Sequence, residues 1–282
     1  MIEVVRPGPL ATVQDLGRPG HAHLGVPHSG AADERALRLA NRLVGNPEGA
    51  AAIEFTLGGG AVRFQDRAWV AFTGAPVPVR IGGRPCGMNA PCYVNPGDTV
   101  ELGLPHEGLR SYLAVRGGLA VEPTLESRST DLLSGLGPAP LSPGDRLPIG
   151  PTAGLDEIQV DVAPSPALPE VPELRLLPGP RDDWFTPESL ATLTSEPYEV
   201  TSESNRIGVR LNGPTLTRAR QGELSSEGMV TGALQVPPNG LPILFLTDHP
   251  TTGGYPVIAV IATRDVPAAA QLRPGQRIRF RM

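Results

Sequence analysis

The basic side chains of this sequence limit its chemistry more than any motif does. All 24 basic residues are arginine, and the sequence contains no lysine. A Walker A loop needs a lysine on the terminal phosphates of a nucleotide, and a Schiff base needs a lysine amine. Covalent biotin also needs a lysine, so this chain carries none. The sequence therefore predicts that another polypeptide supplies a substantial part of any ATP or biotin chemistry.

Self-contained catalytic motifs are also missing. The sequence has no G-x-S-x-G elbow, no H-E-x-x-H pattern and no G-x-G-x-x-G loop. His106-Glu107 is followed by Arg110, where a zinc site of that type needs a second histidine. This pattern disfavours a hydrolase or dehydrogenase that works alone.

Polar residues are instead concentrated in glycine-rich phrases, which are too particular to be generic turns. The phrases are TVQDLGR at 12–18, GVPHSGAAD at 25–33, RGG at 116–118, SRSTD at 127–131, SNRIGVRL at 204–211, GALQVP at 232–237 and TTGGYP at 251–256. They resemble the allophanate hydrolase subunit 2 family, which includes 5-oxoprolinase subunits and the regulator KipA. The resemblance runs from Thr12 to Leu272.

The resemblance implies a fold and a reaction. The fold is a pair of cyclophilin-like β-barrel domains, and the reaction opens the lactam of 5-oxoproline to glutamate with hydrolysis of ATP. The implied partners are the KipI-like B subunit of 5-oxoprolinase and its A subunit. ATP is shared with them, and magnesium is a candidate metal, although no metal ligand is assigned to this chain. Because a lactam is a poor electrophile, the protein's task is to position anions and neutralise developing charge.

Arginine suits that task, because its planar guanidinium holds carboxylates or phosphates with two hydrogen bonds. Within the family phrases, the predicted catalytic residues are Arg18, Arg128, Arg206, Asp15 and Asp131. The alternative for each arginine is a surface position or a bond to backbone carbonyls that ties loops together. Asn205 stands where the family commonly has aspartate before Arg206, so a carboxylate role at that position is in doubt.

A second group of residues is predicted to bind substrate. These are Ser129, Thr130, Gln235, Asp248, Thr251, Thr252, Gly253, Gly254 and Tyr255. The hydroxyls and unhindered glycine amides of TTGG can form an anion-binding nest. A tight structural turn explains the glycines equally well, and packing is favoured for Tyr255.

The remaining acidic and imidazole groups rank lower. The carboxylates of the phrases could orient a water, bind magnesium or act as a base, but Asp33 is better placed to cap a helix. His28 and His249 are candidate proton carriers, and each follows or precedes a proline in a loop, where a histidine is usually structural.

The elements that position these residues are predicted to be mainly β-strands. The 34 glycines and 33 prolines separate short apolar runs rather than cluster in a polar tract. A Pro-Gly turn that leads into an alternating strand occurs at Pro96, Pro143 and Pro274. Because the pattern recurs in both halves, we expect two related β-barrels with one or two short helices.

The domain boundary is predicted where prolines interrupt a stretch with little apolar periodicity. A linker at 163–173 contains Pro164, Pro166, Pro169 and Pro172, which favour an extended connection. The predicted N-terminal domain therefore covers 1–162 and the C-terminal domain covers 174–282.

Two segments break the strand pattern. Leu37, Ala40 and Val44 recur at helical spacing between 31 and 44, with Ser29 as the expected cap and Gly45-Asn46-Pro47 as the stop. A shorter helix is expected to begin at Thr186-Pro187, with Leu190 and Leu193 facing the core.

Charge and cysteine content give further expectations. The net charge of −5 and the scattered arginines disfavour nucleic acid as a partner. The first residues lack the pattern of a leader peptide, and no apolar run is long enough to span a membrane, so we expect a cytoplasmic protein without a membrane partner. Cys86 and Cys92 are expected to be reduced structural thiols.

Two alternatives to the 5-oxoprolinase interpretation stay open from the sequence. One is the carboxyltransferase component of a biotin-dependent urea carboxylase or allophanate hydrolase system, with biotin on a partner. The other is a KipA-like regulator that neutralises an inhibitor of a sensor kinase and catalyses nothing.

Overall fold

The computed structural model describes residues 1–164, 167–222 and 224–282, which form two compact units. Unit 1 comprises Met1–Arg18, Ser29–Asp131 and Gly135–Ala167, and unit 2 comprises Pro19–His28, Leu132–Ser134 and Leu168–Met282. The chain passes from one unit to the other inside the predicted linker, of which Ser165 and Pro166 lie outside the described residues. The predicted domains were continuous stretches of sequence, so they did not include the two short segments that belong to unit 2. The bounds 1–162 and 174–282 stay predictions.

Unit 1 is built from two antiparallel sheets and one helix. The six-stranded sheet has the order β11-β1-β4-β9-β6-β7, and the five-stranded sheet has the order β2-β3-β10-β5-β8. The strands are β1 (Ile2–Arg6), β2 (Leu10–Gln14), β3 (Ala52–Thr56), β4 (Ala61–Phe64), β5 (Ala68–Gly74), β6 (Val79–Ile81), β7 (Arg84–Cys86), β8 (Pro91–Val94), β9 (Thr99–Leu102), β10 (Arg110–Val115) and β11 (Arg146–Leu147), and the helix is α1 (Glu34–Leu43).

Strand β10 shows why the five-stranded sheet is apolar on both faces. Leu113 and Val115 point into the core between the sheets, whereas Tyr112 and Ala114 alternate with them and pack beneath α1. All six residues of β10 are buried. The strand is therefore buried along its whole length, and its two polar residues, Arg110 and Ser111, are buried together with the apolar ones.

Helix α1 begins later than the sequence predicts. Its cap is Asp33, whose Oδ1 accepts a hydrogen bond from the Ala36 backbone N–H at 3.0 Å. The capping role expected for Asp33 is confirmed, and the prediction that Ser29 caps the helix is wrong. Ser29 has φ of 53° and its hydroxyl donates to the Thr130 carbonyl instead.

Unit 2 is a closed barrel with the strand order β12-β19-β16-β17-β14-β13-β20, and a two-stranded sheet pairs β15 with β18. Parallel pairing of β12 with β20 closes the barrel. The strands are β12 (Glu173–Pro178), β13 (Tyr198–Val200), β14 (Gly208–Asn212), β15 (Glu227–Gly228), β16 (Ala233–Gln235), β17 (Ile243–Phe245), β18 (Thr252–Gly253), β19 (Val257–Ile261) and β20 (Arg277–Arg281), and the helices are α2 (Pro187–Ser195) and α3 (Val266–Ala270).

The barrel core is formed by strands in which buried and exposed residues alternate and by a capped helix that packs on them. Ile278 and Phe280 of β20 are buried between exposed arginines. Helix α2 begins after Thr186, whose side chain accepts the Ser189 backbone N–H, and Leu193 reaches the core. The predicted second helix is confirmed, whereas the five-residue α3 has no counterpart among the predictions.

The repeated Pro-Gly turns have one conformation. Gly97, Gly144 and Gly275 have φ of 83°, 91° and 81°, in the left-handed region that glycine tolerates. The turns lead into β9, β11 and β20. The prediction of a mainly β fold is confirmed, and among the described residues no helix is long and apolar enough to cross a membrane.

The two cysteines correct another expectation. Cys86 of β7 and Cys92 of β8 form a disulfide, so the prediction of reduced thiols is wrong for this structure. Strands β7 and β8 are edge strands of different sheets, and the short turn between them brings the two sulfur atoms together. Sequence reasoning weighed the usual state of cytosolic cysteines and did not consider this turn.

Candidate functional site

In unit 1, Asp15 is the centre of a buried hydrogen-bond cluster. It follows the last residue of β2, and its carboxylate accepts hydrogen bonds from the Ser127 and Ser129 hydroxyls at 2.6 and 2.5 Å. The backbone N–H groups of Arg128 and Gly17 donate to the same carboxylate at 2.6 and 2.8 Å. Four donors use most of the acceptor capacity of a carboxylate. Asp15 therefore fixes the SRSTD phrase against β2.

Arg18 lies in the same cluster and is almost fully buried, with 1% of its surface exposed. Its Nη2 donates to the Ser129 carbonyl at 2.5 Å, and its Nε donates to the Thr124 carbonyl at 3.4 Å. These bonds to main-chain oxygens correspond to the loop-tying alternative for this arginine.

Gln14 and Thr130 complete the cluster beneath β2. The Gln14 Nε2 donates to the Thr12 hydroxyl at 3.0 Å and to the Thr130 carbonyl at 2.9 Å. Within the described part of the chain, the Gln14 Oε1 and the Thr130 Oγ1 are buried and lack a hydrogen-bond partner. The Thr130 hydroxyl, predicted to bind substrate, thus points into the interior of unit 1.

Arg128 differs from Arg18 in its exposure. It is half-buried, and its Nε donates to the Val121 carbonyl at 2.8 Å. No carboxylate pairs with its guanidinium among residues 1–164, 167–222 and 224–282. Of the predicted arginines, Arg128 therefore keeps the most capacity to contact an anion.

A second buried network of unit 1 was not predicted. The Glu54 Oε2 accepts hydrogen bonds from the Tyr112 hydroxyl at 2.7 Å and from the Ala32 N–H at 3.0 Å, and the Asp33 N–H donates to the Tyr112 oxygen at 2.8 Å. The Arg110 Nε lies 3.5 Å from Glu54 Oε1. Burial, followed by the charge of Glu54, raises the pKa of Tyr112 well above its ordinary value. This network joins the start of α1 to the sheet.

In unit 2, Arg206 and Asp248 form a buried ion pair. The Arg206 Nε is 2.9 Å from Asp248 Oδ2, and its Nη2 is 3.1 Å from Asp248 Oδ1. The Arg206 Nη2 also donates to the Thr247 hydroxyl, and the Leu132 N–H donates to Asp248. The two side chains of the pair are 1% and 0% exposed. The charge of Arg206 is thus compensated within its own unit.

The TTGGYP phrase lies at the surface of unit 2 as a short strand. Thr252 and Gly253 form β18, which pairs with β15, and the Thr251 carbonyl accepts the Met229 N–H at 2.9 Å. Thr252 and Gly253 therefore lie in a strand and not in the predicted tight turn, and neither Gly253 nor Gly254 has a positive φ. Anion binding by this phrase stays a prediction. Thr252 and Gly254 are exposed, and Tyr255 is 44% exposed, which corrects its expected packing role.

Gln235 lies beneath this strand. Its Nε2 donates to the Tyr255 carbonyl at 3.1 Å and contacts the Met229 Sδ at 3.8 Å, and the residue is 5% exposed. Its side-chain oxygen has no hydrogen-bond partner among the residues that the structure describes. The Tyr255 carbonyl fixes the orientation of the amide, because a carbonyl can only accept.

Two arginines near β18 were missed by sequence reasoning. The Arg218 Nη2 donates to the Val236 carbonyl at 2.7 Å, and its guanidinium carbon lies 6.0 Å from the centre of the Tyr255 ring. Arg181 pairs with Glu227 of β15, and this hydrogen bond lowers the pKa of Glu227. Both arginines lie outside the polar phrases, so no sequence signal identified them.

The described residues do not fit a resident magnesium ion. They include no group of three or more histidine, cysteine, aspartate or glutamate side chains that could hold a metal. Asp15 and Asp248, two of the carboxylates that could have bound magnesium, accept hydrogen bonds from several donors each. With no lysine, the chain cannot form a Walker A contact to terminal phosphates. An ATP site shared with partner subunits stays a prediction, and we derive no step through either group.

The predicted site residues fall into two sets. Unit 1 contains Arg18, Arg128, Asp15, Asp131, Ser129 and Thr130, and unit 2 contains Arg206, Gln235, Asp248, Thr251, Thr252, Gly253, Gly254 and Tyr255. Asp131 is 2% exposed, and its N–H donates to the Leu136 carbonyl. His249 is buried and its Nδ1 lies 2.7 Å from the Pro250 carbonyl, whereas His28 is half-buried. The catalytic and binding roles of these residues stay predictions.

Comparisons with known proteins agree with this architecture. The family model described as carboxyltransferase domain, subdomain A and B, matches residues 24–282. The sequence is 41% identical to the C subunit of 5-oxoprolinase from Escherichia coli (strain K12), over 99% of this chain and 90% of that protein. It is 35% identical to the urea amidolyase of Lachancea kluyveri, over 99% of this chain and only 17% of that protein. The crystal structure of TTHA0988 aligns with a TM-score of 0.90 at 37% identity and covers 100% of this chain, which spans 55% of the TTHA0988 chain.

Proposed function

The chain belongs to the carboxyltransferase domain family with subdomains A and B, and we propose that it is the C subunit of an ATP-dependent 5-oxoprolinase. With partner subunits, this enzyme converts 5-oxo-L-proline to L-glutamate with ATP hydrolysis. The observation that carries the proposal is the identity to the corresponding E. coli 5-oxoprolinase component, which extends over nearly the full length of both proteins.

The part that we assign to this chain is substrate binding. 5-Oxoproline presents a carboxylate, a ring N–H and a lactam carbonyl, which require a cation, an acceptor and a donor. Unit 2 presents polar groups on and beneath the exposed strand β18, where a small ligand can meet these requirements. Holding the lactam in one orientation lowers the entropic part of the barrier to its hydrolysis.

The buried arginines have a different part in this proposal. Arg18 and Arg206 position loops, because their guanidinium groups are nearly inaccessible and contact groups of their own units. Arg128 is the predicted arginine that retains capacity for an anion. Its contact with substrate or with a phosphate in the assembled enzyme is a prediction.

ATP, when bound by the assembled enzyme, would activate the lactam oxygen. The described residues of this chain include no group that could hold magnesium, and the chain has no lysine for terminal phosphates, so we assign the larger part of ATP binding to the partner subunits. The proposed partners are the B and A subunits of 5-oxoprolinase, which is supported by the designation of the E. coli relative as one subunit of that enzyme.

A second candidate is the carboxyltransferase component of a biotin-dependent urea carboxylase or allophanate hydrolase system. The identity to the urea amidolyase of L. kluyveri favours it. Because this chain has no lysine, the biotinyl group in this case is on another domain or chain.

The test is to purify the chain together with the products of its neighbouring genes and to assay the complex. We expect glutamate release from 5-oxoproline that depends on ATP and on every component of the complex. Biotin-dependent carboxylation of urea without 5-oxoproline turnover would favour the second candidate. Complex formation without either reaction would favour a KipA-like regulator over both enzymes.

A further inference from the structure

We propose that unit 2 contains a binding site for a small carboxylate bearing an amide N–H, in which the Gln235 oxygen accepts that N–H and Arg218 binds the carboxylate. We call Arg218, Gln235, Thr252, Gly253 and Tyr255 the amide site. This inference rests on the proposed function, because 5-oxoproline belongs to this ligand class. It adds a separate chemical role for Gln235 and for Arg218.

The Gln235 amide is held so that only its oxygen is available. Its nitrogen donates to the Tyr255 carbonyl at 3.1 Å, while its oxygen lacks a partner among the described residues. Gln235 is 5% exposed, and its oxygen is not among the described atoms that are both fully buried and without a hydrogen-bond partner, so this oxygen stays accessible to solvent. A ligand N–H can replace water as the donor to this oxygen, whereas an ether oxygen at the same position repels the amide oxygen.

Gly253 lies directly against the Gln235 amide. A Cβ on Gly253 would lie 2.5 Å from the Gln235 nitrogen and 3.3 Å from the Met229 sulfur. The backbone of β18 therefore packs directly on the amide, and a side chain at position 253 would displace the Gln235 nitrogen from this position. A group held in this way loses little further freedom when a ligand binds.

Arg218 supplies a positive charge beside the Tyr255 ring, whose backbone carbonyl holds the Gln235 amide. Its Nη2 donates to the carbonyl of Val236, the residue that follows Gln235, and its guanidinium faces the ring of Tyr255. No carboxylate pairs with Arg218 in the described ranges 1–164, 167–222 and 224–282. A guanidinium with remaining N–H donors beside an exposed aromatic ring is a suitable contact for a small carboxylate.

The first experiment uses the complex of this chain with its partner subunits and compares two ligands. One is 5-oxoproline, and the other is its lactone analogue, in which the ring oxygen replaces the N–H. We expect the wild-type complex to bind the lactam at least about tenfold more tightly than the lactone. We expect Gln235→Met to bring the ratio of the two dissociation constants close to one.

Gln271→Met is the matched control, because Gln271 is also 5% exposed in unit 2 and lies outside the amide site. It should keep the wild-type ratio. Gln235→Asn is a second variant. It retains an amide, but its side chain is one methylene shorter, so the oxygen lies farther from the ligand and the preference for the lactam should also be lost. Assembly of each complex and its melting temperature are measured first.

Arg218→Met tests the carboxylate contact. We expect it to weaken binding of both ligands by about 10- to 100-fold without changing the ratio between them. Arg220→Met is the control, because Arg220 already pairs with Asp183 at the surface. This control should bind both ligands as the wild type does.

The outcomes separate the inference from the function on which it rests. A wild-type complex without 5-oxoproline-dependent ATP hydrolysis overturns the proposed function. A wild-type complex that turns over 5-oxoproline, with both Gln235 variants keeping the preference for the lactam, overturns the role of Gln235 alone. Unchanged binding by Arg218→Met overturns the role of Arg218.

Discussion

The polar clusters of the two units contain similar side chains but leave different groups available. In unit 1, two hydroxyls and two backbone N–H groups converge on Asp15, and Arg18 is nearly inaccessible. In unit 2, the Gln235 oxygen and the Arg218 guanidinium keep capacity beside an exposed strand. A cluster whose members bond each other stabilises the fold, whereas unused donors and acceptors next to solvent indicate ligand binding.

Unit 2 contains both kinds of polar group, those that are paired within the fold and those that stay available to a ligand. Arg206 lies in a family phrase and was a leading candidate for binding an anion, yet Asp248 compensates its charge. Arg218 lies in no phrase and pairs with no carboxylate of the described chain. Burial and local pairing therefore discriminate better than residue type between an arginine that supports the structure and one that binds a ligand.

Breaking the buried ion pair of unit 2 should produce the largest effect. Arg206→Met leaves the Asp248 carboxylate buried without its guanidinium, and we expect the free energy of unfolding to fall by about 3–5 kcal/mol. Combining it with Asp248→Leu should recover much of this loss, because no buried charge is left. Urea unfolding of the wild type and both variants measures the effect.

The opposite result would change the assignment of Arg206. If Arg206→Met unfolds at the same urea concentration as the wild type but the complex loses turnover, Arg206 contacts substrate and is not mainly structural. Burial of an arginine would then not distinguish a structural role from substrate binding.

Deprotonation of the buried tyrosines at alkaline pH should have an intermediate effect on stability. Lysine normally titrates in the same pH range as tyrosine, and this chain has none, so the alkaline change can be assigned to tyrosine. Burial, followed by the charge of Glu196, raises the pKa of Tyr198 to about 12. Because the pKa is higher in the folded state, its stabilising contribution is complete below the unfolded value of about 10 and is lost as the pH rises toward 12. We expect a loss of at most about 2 kcal/mol between pH 10 and 12, and solvent screening reduces it further.

Tyr198→Phe should remove that part of the alkaline loss, measured as unfolding free energy against pH and as phenolate absorbance. The pKa of Tyr112 is also raised, by burial and by Glu54, so Tyr112→Phe is the corresponding variant in unit 1. An alkaline loss that persists unchanged in Tyr198→Phe would contradict the assignment of that loss to the buried Tyr198 phenol.

Much of the fold follows from local sequence signals. The alternation in β20, the Thr186 cap with Pro187, and the Pro-Gly turns all act within a few residues. The segments Pro19–His28 and Leu132–Ser134 could not be assigned to unit 2 in this way, because their placement depends on distant parts of the chain. The Ser29 prediction failed because its hydroxyl bonds to the Thr130 carbonyl, 101 positions away.

The site was less predictable for the same reason. The two hydroxyls that donate to Asp15 come from residues 112 and 114 positions away. The phrase TVQDLGR alone therefore cannot show that the Asp15 carboxylate already accepts several hydrogen bonds. Gln235 was named through a family phrase, but its orientation depends on a carbonyl 20 positions away. Arg218 was missed because its neighbourhood is defined by the ring of Tyr255 and not by adjacent residues.

Asp15→Asn should give the smallest of these effects and is the sharpest test of the comparison. An asparagine keeps one acceptor oxygen but turns an N–H₂ group toward donors, so some of the four hydrogen bonds are lost. We expect the free energy of unfolding to fall by about 2 kcal/mol, with turnover falling only as far as the folded population does. Asp161→Asn at an exposed position is the control and should leave stability unchanged. If instead Asp15→Asn retains the wild-type stability and kcat falls by about 100-fold or more, Asp15 acts as a catalytic base and the cluster of unit 1 is part of the active site.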